Sequence, residues 1–244
     1  MRIRFACPLA ALLAFAATPA LGQTTGGVFG PGVAEGDRSA QWRVAWAPGE
    51  GGRQDRIASR LHYQHAVSPR LRFRGVVQGS DVETGDFELN FVQFETHWQF
   101  SKAPKWKSAL RVDTRLVEGD DGENQVGLDW TNQWPLKWFG GGERTSLTVV
   151  GLSNIRLKGD SSVGLETRAA ITHRLEGSPW TVALQSFDAY GRTRNFPRLE
   201  DQNHRVGPSV SRRFGDVDFR ATALFGWSEA AQDIDVALWV GKRF

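Results

Sequence analysis

Residues 234–244 read IDVALWVGKRF. Ile234, Val236, Leu238, Val240 and the final Phe244 form one alternate set, interrupted only by Lys242, while Asp235, Ala237, Trp239, Gly241 and Arg243 form the other. That period of two belongs to a β-strand, whose side chains point to opposite faces in turn. Chain ends fray unless something holds them. A terminal aromatic that completes an apolar set therefore predicts a strand whose last residue is anchored.

The same alternation runs back through the chain. Trp42, Val44 and Trp46 oppose Gln41, Arg43 and Ala45; Ile57, Leu61 and Tyr63 oppose Arg60, His62 and Gln64. In the third segment Leu71, Phe73 and Val77 oppose Arg70, Arg72 and Arg74, a spacing that no helix period generates. The fourth keeps Phe87, Leu89 and Phe91 in step and then shifts to Phe94, Trp98 and Phe100, the one-residue slip of a β-bulge. Leu110, Val112 and Leu116 against Arg111, Asp113 and Arg115 mark the fifth; Val126, Leu128 and Trp130 against Gln125 and Asp129 mark the sixth. A seventh, near Thr145 to Arg156, alternates too weakly for its faces to be assigned. Leu165 and Ile171 against Glu166 and Arg168, then Trp180, Val182 and Leu184, then a poorer stretch holding Pro208, then Phe219, Ala221 and Phe225 against Asp218 and Arg220 bring the total, with the C-terminal strand, to twelve.

The connectors fall into two classes. One set (APGEGGRQD, GSDVETG, VEGDDGE, KGDSS, AYGRTRNFPRLED, SEAAQ) is longer and more acidic; the alternating set (VSP, SKAP, PLKWFGGG, EGSP, FGD) is mostly tighter. Such two-sidedness is expected of an outer-membrane barrel with short periplasmic turns and longer outer loops. An even strand number then returns both termini to the periplasmic side.

Residues 1–22 carry Arg2 and Arg4, an apolar run from Pro8 to Phe15 and the small-residue segment ATPALG, the layout of a cleaved signal peptide. The run is too short to span a bilayer. Cleavage after Gly22 removes Cys7, the only cysteine, so the exported chain has no thiol or disulfide chemistry. Residues 23–38 read as a flexible Gly-rich lead, and 39–244 as the barrel domain. Basic and acidic residues number 30 and 27, and nearly balance once Arg2 and Arg4 leave, so charge points to no nucleic-acid partner. Only six of the 30 basic residues are lysine; arginine, whose planar fork satisfies several acceptors at once, tolerates partial burial better.

Together the leader, the dozen alternating strands, the tryptophans at strand ends and the C-terminal strand ending in Phe244 resemble a Gram-negative outer-membrane β-barrel protein. The resemblance implies an all-β, antiparallel up-and-down transmembrane barrel in the cell outer membrane, in contact with outer-membrane lipid. It also implies that Val236, Leu238, Val240 and Phe244 form the signal read by the barrel-assembly machinery. Lys242 stands where such barrels usually carry an apolar or aromatic residue. The rival architecture is a soluble Trp-rich carbohydrate-binding β-sandwich, whose wet face has no reason to prefer arginine so heavily.

Chemistry has few footholds. Barrel hydrolases that act on lipid pair a histidine with a serine as H-x-S, and His62, His97 and His173 are followed by no such serine, while Ser153-Asn154 has no upstream histidine. Cross-strand pairs leave the hydrolase open as an alternative. No metal site is read: His62 and His65 point to opposite faces, and the acidic loop around Glu118, Asp120, Asp121 and Glu123 lacks the spacing of a calcium loop. No cofactor is implied.

The remaining constellation is the polar face. Phase assignment turns Arg43, Arg60, His62, Arg70, Arg72, Arg74, His97, Lys107, Arg111, Arg115, Arg168, Arg174, Arg205, Arg220 and Arg243 inward, with Glu88, Glu95, Asp113, Asp129, Glu166, Asp218 and Asp235. Two readings stay open: a ladder of cross-strand ion pairs that plugs the lumen, or a porin-like channel whose excess of positive charge favours small anionic solutes. Twelve strands decide nothing, lying between filled barrels of about eight and open porins of sixteen.

Overall fold

The computed structural model describes residues 25–49, 55–82, 87–117, 123–137, 144–159 and 161–244. The leader, residues 1–22, and Glu118, Asp120 and Asp121 of the acidic loop lie outside them. Twelve strands form: β1 (Arg38–Ala47), β2 (Arg56–Ala66), β3 (Leu71–Val82), β4 (Glu88–Ala103), β5 (Trp106–Val117), β6 (Gln125–Pro135), β7 (Thr145–Arg156), β8 (Val163–Arg174), β9 (Trp180–Arg192), β10 (Asn203–Phe214), β11 (Val217–Gly226) and β12 (Ile234–Arg243). Each pairs antiparallel with its sequence neighbours, and β1 pairs with β12, from Ser39 opposite Arg243 to Trp46 opposite Val236. Closure leaves no strand edge with unpaired backbone groups, which is what a sheet in hydrocarbon requires.

The outward face carries the apolar set. Leu61, Phe73, Phe94, Trp98, Leu128, Trp130, Leu184, Phe225 and Leu238 are all exposed, while Arg43, Gln78, Gln99, Arg205 and Asp235 are among the most buried side chains. A soluble sandwich has the opposite arrangement. In water this belt would be a large sticky patch, whereas in lipid it is matched by its surroundings. Lys242 faces outward at the rim and sits over the ring of Phe244, whose backbone N–H donates to the carbonyl of Arg38 at 3.0 Å.

Two expectations of phase need correction. The slip in β4 falls at Asn90, because Gln78 pairs with Phe91 and Gly79 with Leu89. Phe91 therefore turns inward and is buried, instead of continuing the outer set with Phe87 and Leu89. Arg70 does not line the lumen: it ends the tight turn before β3 and is exposed, with Ser68 Oγ accepting from the N–H groups of Arg70 and Leu71 to close that turn. Glu88 shares the inward side with Ser80 and stands exposed at the opposite mouth from Arg72, which pairs with His97. In β7 the unassigned faces resolve, with Thr148 and Val150 buried and Ile155 exposed. Pro208 is accommodated because the β10–β11 ladder lapses between Val206 and Ser209 while pairing to β9 continues.

At the mouth where β1 begins and β12 ends, residues Ala34–Asp37 reverse the chain into β1. The N–H of Asp37 donates to the carbonyl of Ala34 at 3.1 Å, and that of Gly36 to the carbonyl of Ala66 at 2.9 Å. Gly36 has φ +76°, a conformation that strains any residue with a Cβ. Gly36→Ala is expected to cost about 1–2 kcal/mol in urea unfolding followed by gel mobility; an unchanged midpoint would show that this reversal tolerates another conformation.

Candidate functional site: a basic lumen threaded by the lead

The lead is not a free tail. From Val33 at the mouth to Thr25 it runs into the barrel, held at each step by wall residues from distant strands. The N–H of Val33 donates to Gln99 Oε1 at 2.9 Å, and Lys102 Nζ donates to the carbonyl of Val33 at 3.1 Å. His97 Nε2 meets the carbonyl oxygen of Pro31 at 3.1 Å, and Arg72 Nη1 donates to that of Gly32 at 3.4 Å. Deeper in, Arg43 Nη1 donates to the carbonyl of Thr25 at 3.0 Å, and Thr25 Oγ1 to Gln78 Oε1 at 2.7 Å.

Two apolar side chains anchor it. Phe29 stacks on Trp239 with centroids 5.8 Å apart, and the guanidinium of Arg43 lies over both rings, 4.6 and 4.1 Å from their centroids. Such cation–π contacts contribute about 2 kcal/mol where the cation is desolvated. Val28 packs into a cluster with Val150, Ala170, Phe187 and Leu224, on the wall opposite Arg43 and Arg74. Gly27 is required by this seating, because a Cβ there would run into the Trp239 ring.

The wall cations fall into two groups. One is paired: Arg74 binds Glu95 at 3.0 Å; Arg111 binds Glu95 at 3.1 Å, Asp113 at 3.9 Å and also Asp129. Arg168 binds Glu166 at 3.0 Å, Arg205 binds Asp235, and at the mouth Asp218 joins Arg213 at 2.7 Å and Arg243 at 3.0 Å. Arg115 and Arg60 fall between the two groups: Arg115 lies over Phe91, 4.5 Å from its centroid, and Arg60 donates to Gln78 Oε1 at 2.7 Å.

The second group has no carboxylate within ion-pair distance among the described residues. Arg43 bonds only Gln41 and the lead. Arg72 bonds Gly32, with its Nε buried and unbonded. Arg220 lies over Trp239, 4.6 Å from the ring centroid. His62 is 5 % exposed, and neither ring nitrogen has a partner. His62, Arg72, Arg174 and Arg220 all line a cavity of about 850 Å³ between the lead and the mouth where β1 begins and β12 ends. Beyond the lead, gaps of about 60 and 20 Å³ separate the paired residues. Asp37 and Asp218 share the wall of the larger cavity, Asp218 paired to Arg213 and Arg243, so cations outnumber carboxylates around this vestibule and give it a positive potential.

Of the residues that phase turns inward, Arg43, Arg60, His62, Arg72, Arg74, Glu95, His97, Asp113, Asp129 and Asp235 are buried, while Arg111, Arg115, Glu166, Arg168, Asp218 and Arg220 are half-buried and border the lumen cavities. The phase reading missed the lead, and it missed the inward apolar residues Phe91, Val150, Phe187 and Leu224. Only the C-terminal alternation, which set Trp239 against Leu238, carried a hint of an inward aromatic.

For a hydrolase the nearest arrangement faces outward near the other mouth. His204 Nδ1 meets Asp188 Oδ1 at 2.8 Å, and Ser186 Oγ donates to the same carboxylate at 2.6 Å. The imidazole is buried between Trp227, stacked at 4.4 Å, and Tyr190, and its Nε2 meets Gln202 Oε1 at 3.1 Å. Among the described residues no serine hydroxyl bonds an imidazole. The cluster ties the β11–β12 connector to the wall, since Ser228 Oγ accepts from the His204 backbone N–H at 3.1 Å.

Comparison with solved structures decides the class. An outer membrane channel from Pseudomonas putida F1 superposes with a TM-score of 0.64 at 10% identity, over 87% of this chain and 97% of that one. The KdgM porin gives 0.62 at 8% identity over 84% and 99%, and the NanC porin 0.59 at 11% identity over 84% and 98%. The chain has the fold of an outer-membrane β-barrel. At these identities the likeness concerns this barrel's architecture and not its cargo. No family model and no curated protein sequence matches the chain.

Proposed function

We propose that this barrel is a passive channel of the outer membrane that favours small anionic solutes, and that the conformation described is its closed form. The observation that carries the reading is the vestibule of about 850 Å³ lined by Arg72, Arg174 and Arg220, none of which has a carboxylate partner. Ion pairing in the Arg74–Glu95–Arg111 network neutralises one side of the lumen and leaves the vestibule wall to set the sign of the field. Rings of cationic side chains select anions in pores generally. The outward apolar belt, the closed sheet and the leader support insertion into the outer membrane after export, and the porin-type architecture agrees with a conduit.

Reversal potentials in planar bilayers under a potassium chloride gradient test the selectivity. They are measured on the full chain and on one lacking the lead, so that occlusion is not mistaken for the absence of a pore. Anion preference is expected, reduced or inverted when Arg72 and Arg220 become Glu. A barrel without its lead that conducts and prefers cations would overturn the proposal.

A further inference from the structure

The lead carries no charged side chain from Thr25 to Val33, yet four wall groups are turned onto its backbone: Arg43, Arg72 and Lys102 donate to its carbonyls, and His97 meets another. A neutral carbonyl is a poor substitute for an oxyanion, since hydrogen bonds to ionised acceptors are roughly twice as strong as neutral ones. Leaving Arg43 and Arg72 buried with only carbonyl or amide acceptors carries a desolvation penalty that a true anion would offset. Beside them His62 is buried with both ring nitrogens unbonded, bordering the cavity and the lead together. Buried polar groups in folded chains nearly always have partners. Groups held in this way are waiting for a ligand.

We propose that His62, Arg43, Arg72 and Arg220 form a binding site for a multivalent oxyanion, carboxylate or phosphate in chemistry, and that the lead occupies this site as a built-in competitor. The anion enters the vestibule from the mouth where β1 begins and β12 ends, takes over the donors of Arg72 and Arg43, and releases the backbone they hold. Phe29 then loses the cation that lies over its ring, and Val28 leaves its pocket. The inference rests on the anion-channel reading and adds that the solute itself opens the channel. An anion achieves this only through tighter binding to the released state than to the closed one. A monovalent ion such as chloride engages one donor at a time and lacks that differential. A multivalent oxyanion spans two arginines.

The test follows the lead directly, without current. Cys7 is the only cysteine, so a chain processed after Gly22, or carrying Cys7→Ser, reports on one engineered thiol. Val28→Cys places that thiol in the apolar cluster with little change in volume, and Thr25→Cys places a second at the buried end of the lead. Labelling by a bulky water-soluble maleimide is timed in potassium chloride and in pyrophosphate at equal ionic strength. Pyrophosphate is expected to accelerate labelling at both positions by about tenfold in a saturable manner, equivalent to about 1.4 kcal/mol of differential binding. Chloride should leave the rate unchanged. In Arg43→Gln/Arg72→Gln the basal rate should rise and the response to pyrophosphate should vanish. Equal rates in the two salts, or a response that survives the double substitution, would overturn the proposal. If the barrel without its lead prefers anions while labelling ignores pyrophosphate, the channel reading stands and only the displaceable lead falls. If that barrel prefers cations, both fall.

Discussion

Removing Gln23 to Val33, with the leader joined directly to Ala34, is expected to raise single-channel conductance severalfold over the full chain. The lead crosses the lumen between the vestibule and the paired arginine network, and its removal joins the cavity of about 850 Å³ to the gaps beyond. The truncated barrel should still assemble, because none of the twelve strand pairings involves residues before Arg38. It should also be less stable. Val150, Ala170, Phe187 and Leu224 lose Val28, Trp239 loses Phe29, and Arg43 loses the carbonyl of Thr25. Phe29 is partly buried, so losing its side chain costs less than the ~3–5 kcal/mol of a fully buried phenylalanine. Planar-bilayer recording reads the first effect, and urea unfolding followed by gel mobility reads the second. Equal conductance for the two chains would mean that the lead does not obstruct the ion path.

Leu110 and Arg111 are neighbours in β5 that face lipid and lumen, and both are expected to be intolerant of exchange for opposite reasons. Leu110→Arg puts a cation on the lipid face, at a cost of about 2–4 kcal/mol near the bilayer midplane. From the alternation alone, Arg111→Leu would mainly change lumen charge. The structure corrects that expectation. Arg111 is the shared partner of Glu95, Asp113 and Asp129, all three carboxylates buried, so its loss leaves them facing one another with Arg74 as the cation still paired to Glu95. Removing one partner of a buried ion-pair network costs about 3–5 kcal/mol. The causes separate by rescue: adding Glu95→Gln and Asp129→Asn should restore most of the stability lost in Arg111→Leu and none of that lost in Leu110→Arg. A loss below about 1 kcal/mol for Arg111→Leu, the range of exposed pairs, would show that water already screens the network.

Alternation in single segments settled the number of strands, the outward belt and most of the inward cations, because the side-chain period of a strand is a local property and closure only had to join segments already two-faced. Leu61 against His62, or Leu110 against Arg111, needs no knowledge of a neighbour. Where a local irregularity intervened, the phase failed. The bulge at Asn90 moved Phe91 inward, and the serine-closed turn took Arg70 out of its strand. Both depend on hydrogen bonds that a pattern of apolar and polar letters does not encode.

The division of the cations into paired and unpaired belonged to register. Arg111 finds Glu95 and Asp129 because β4 and β6 are staggered against β5 as they are, whereas Arg43 has Arg60 and Trp239 directly opposite. The lead was least legible. Residues 23–38 read as flexible for lack of any period, and a segment without a period states nothing about what surrounds it. Thr25 meets Gln78, Pro31 meets His97 and Val28 meets Leu224, partners that lie 53 to nearly 200 positions away and converge only once the sheet has closed. A Gly-rich segment with a few apolar side chains is a loose tail in water; inside a ring of cations with unmet hydrogen bonds it becomes the best available acceptor, and the closed barrel alone creates that surrounding.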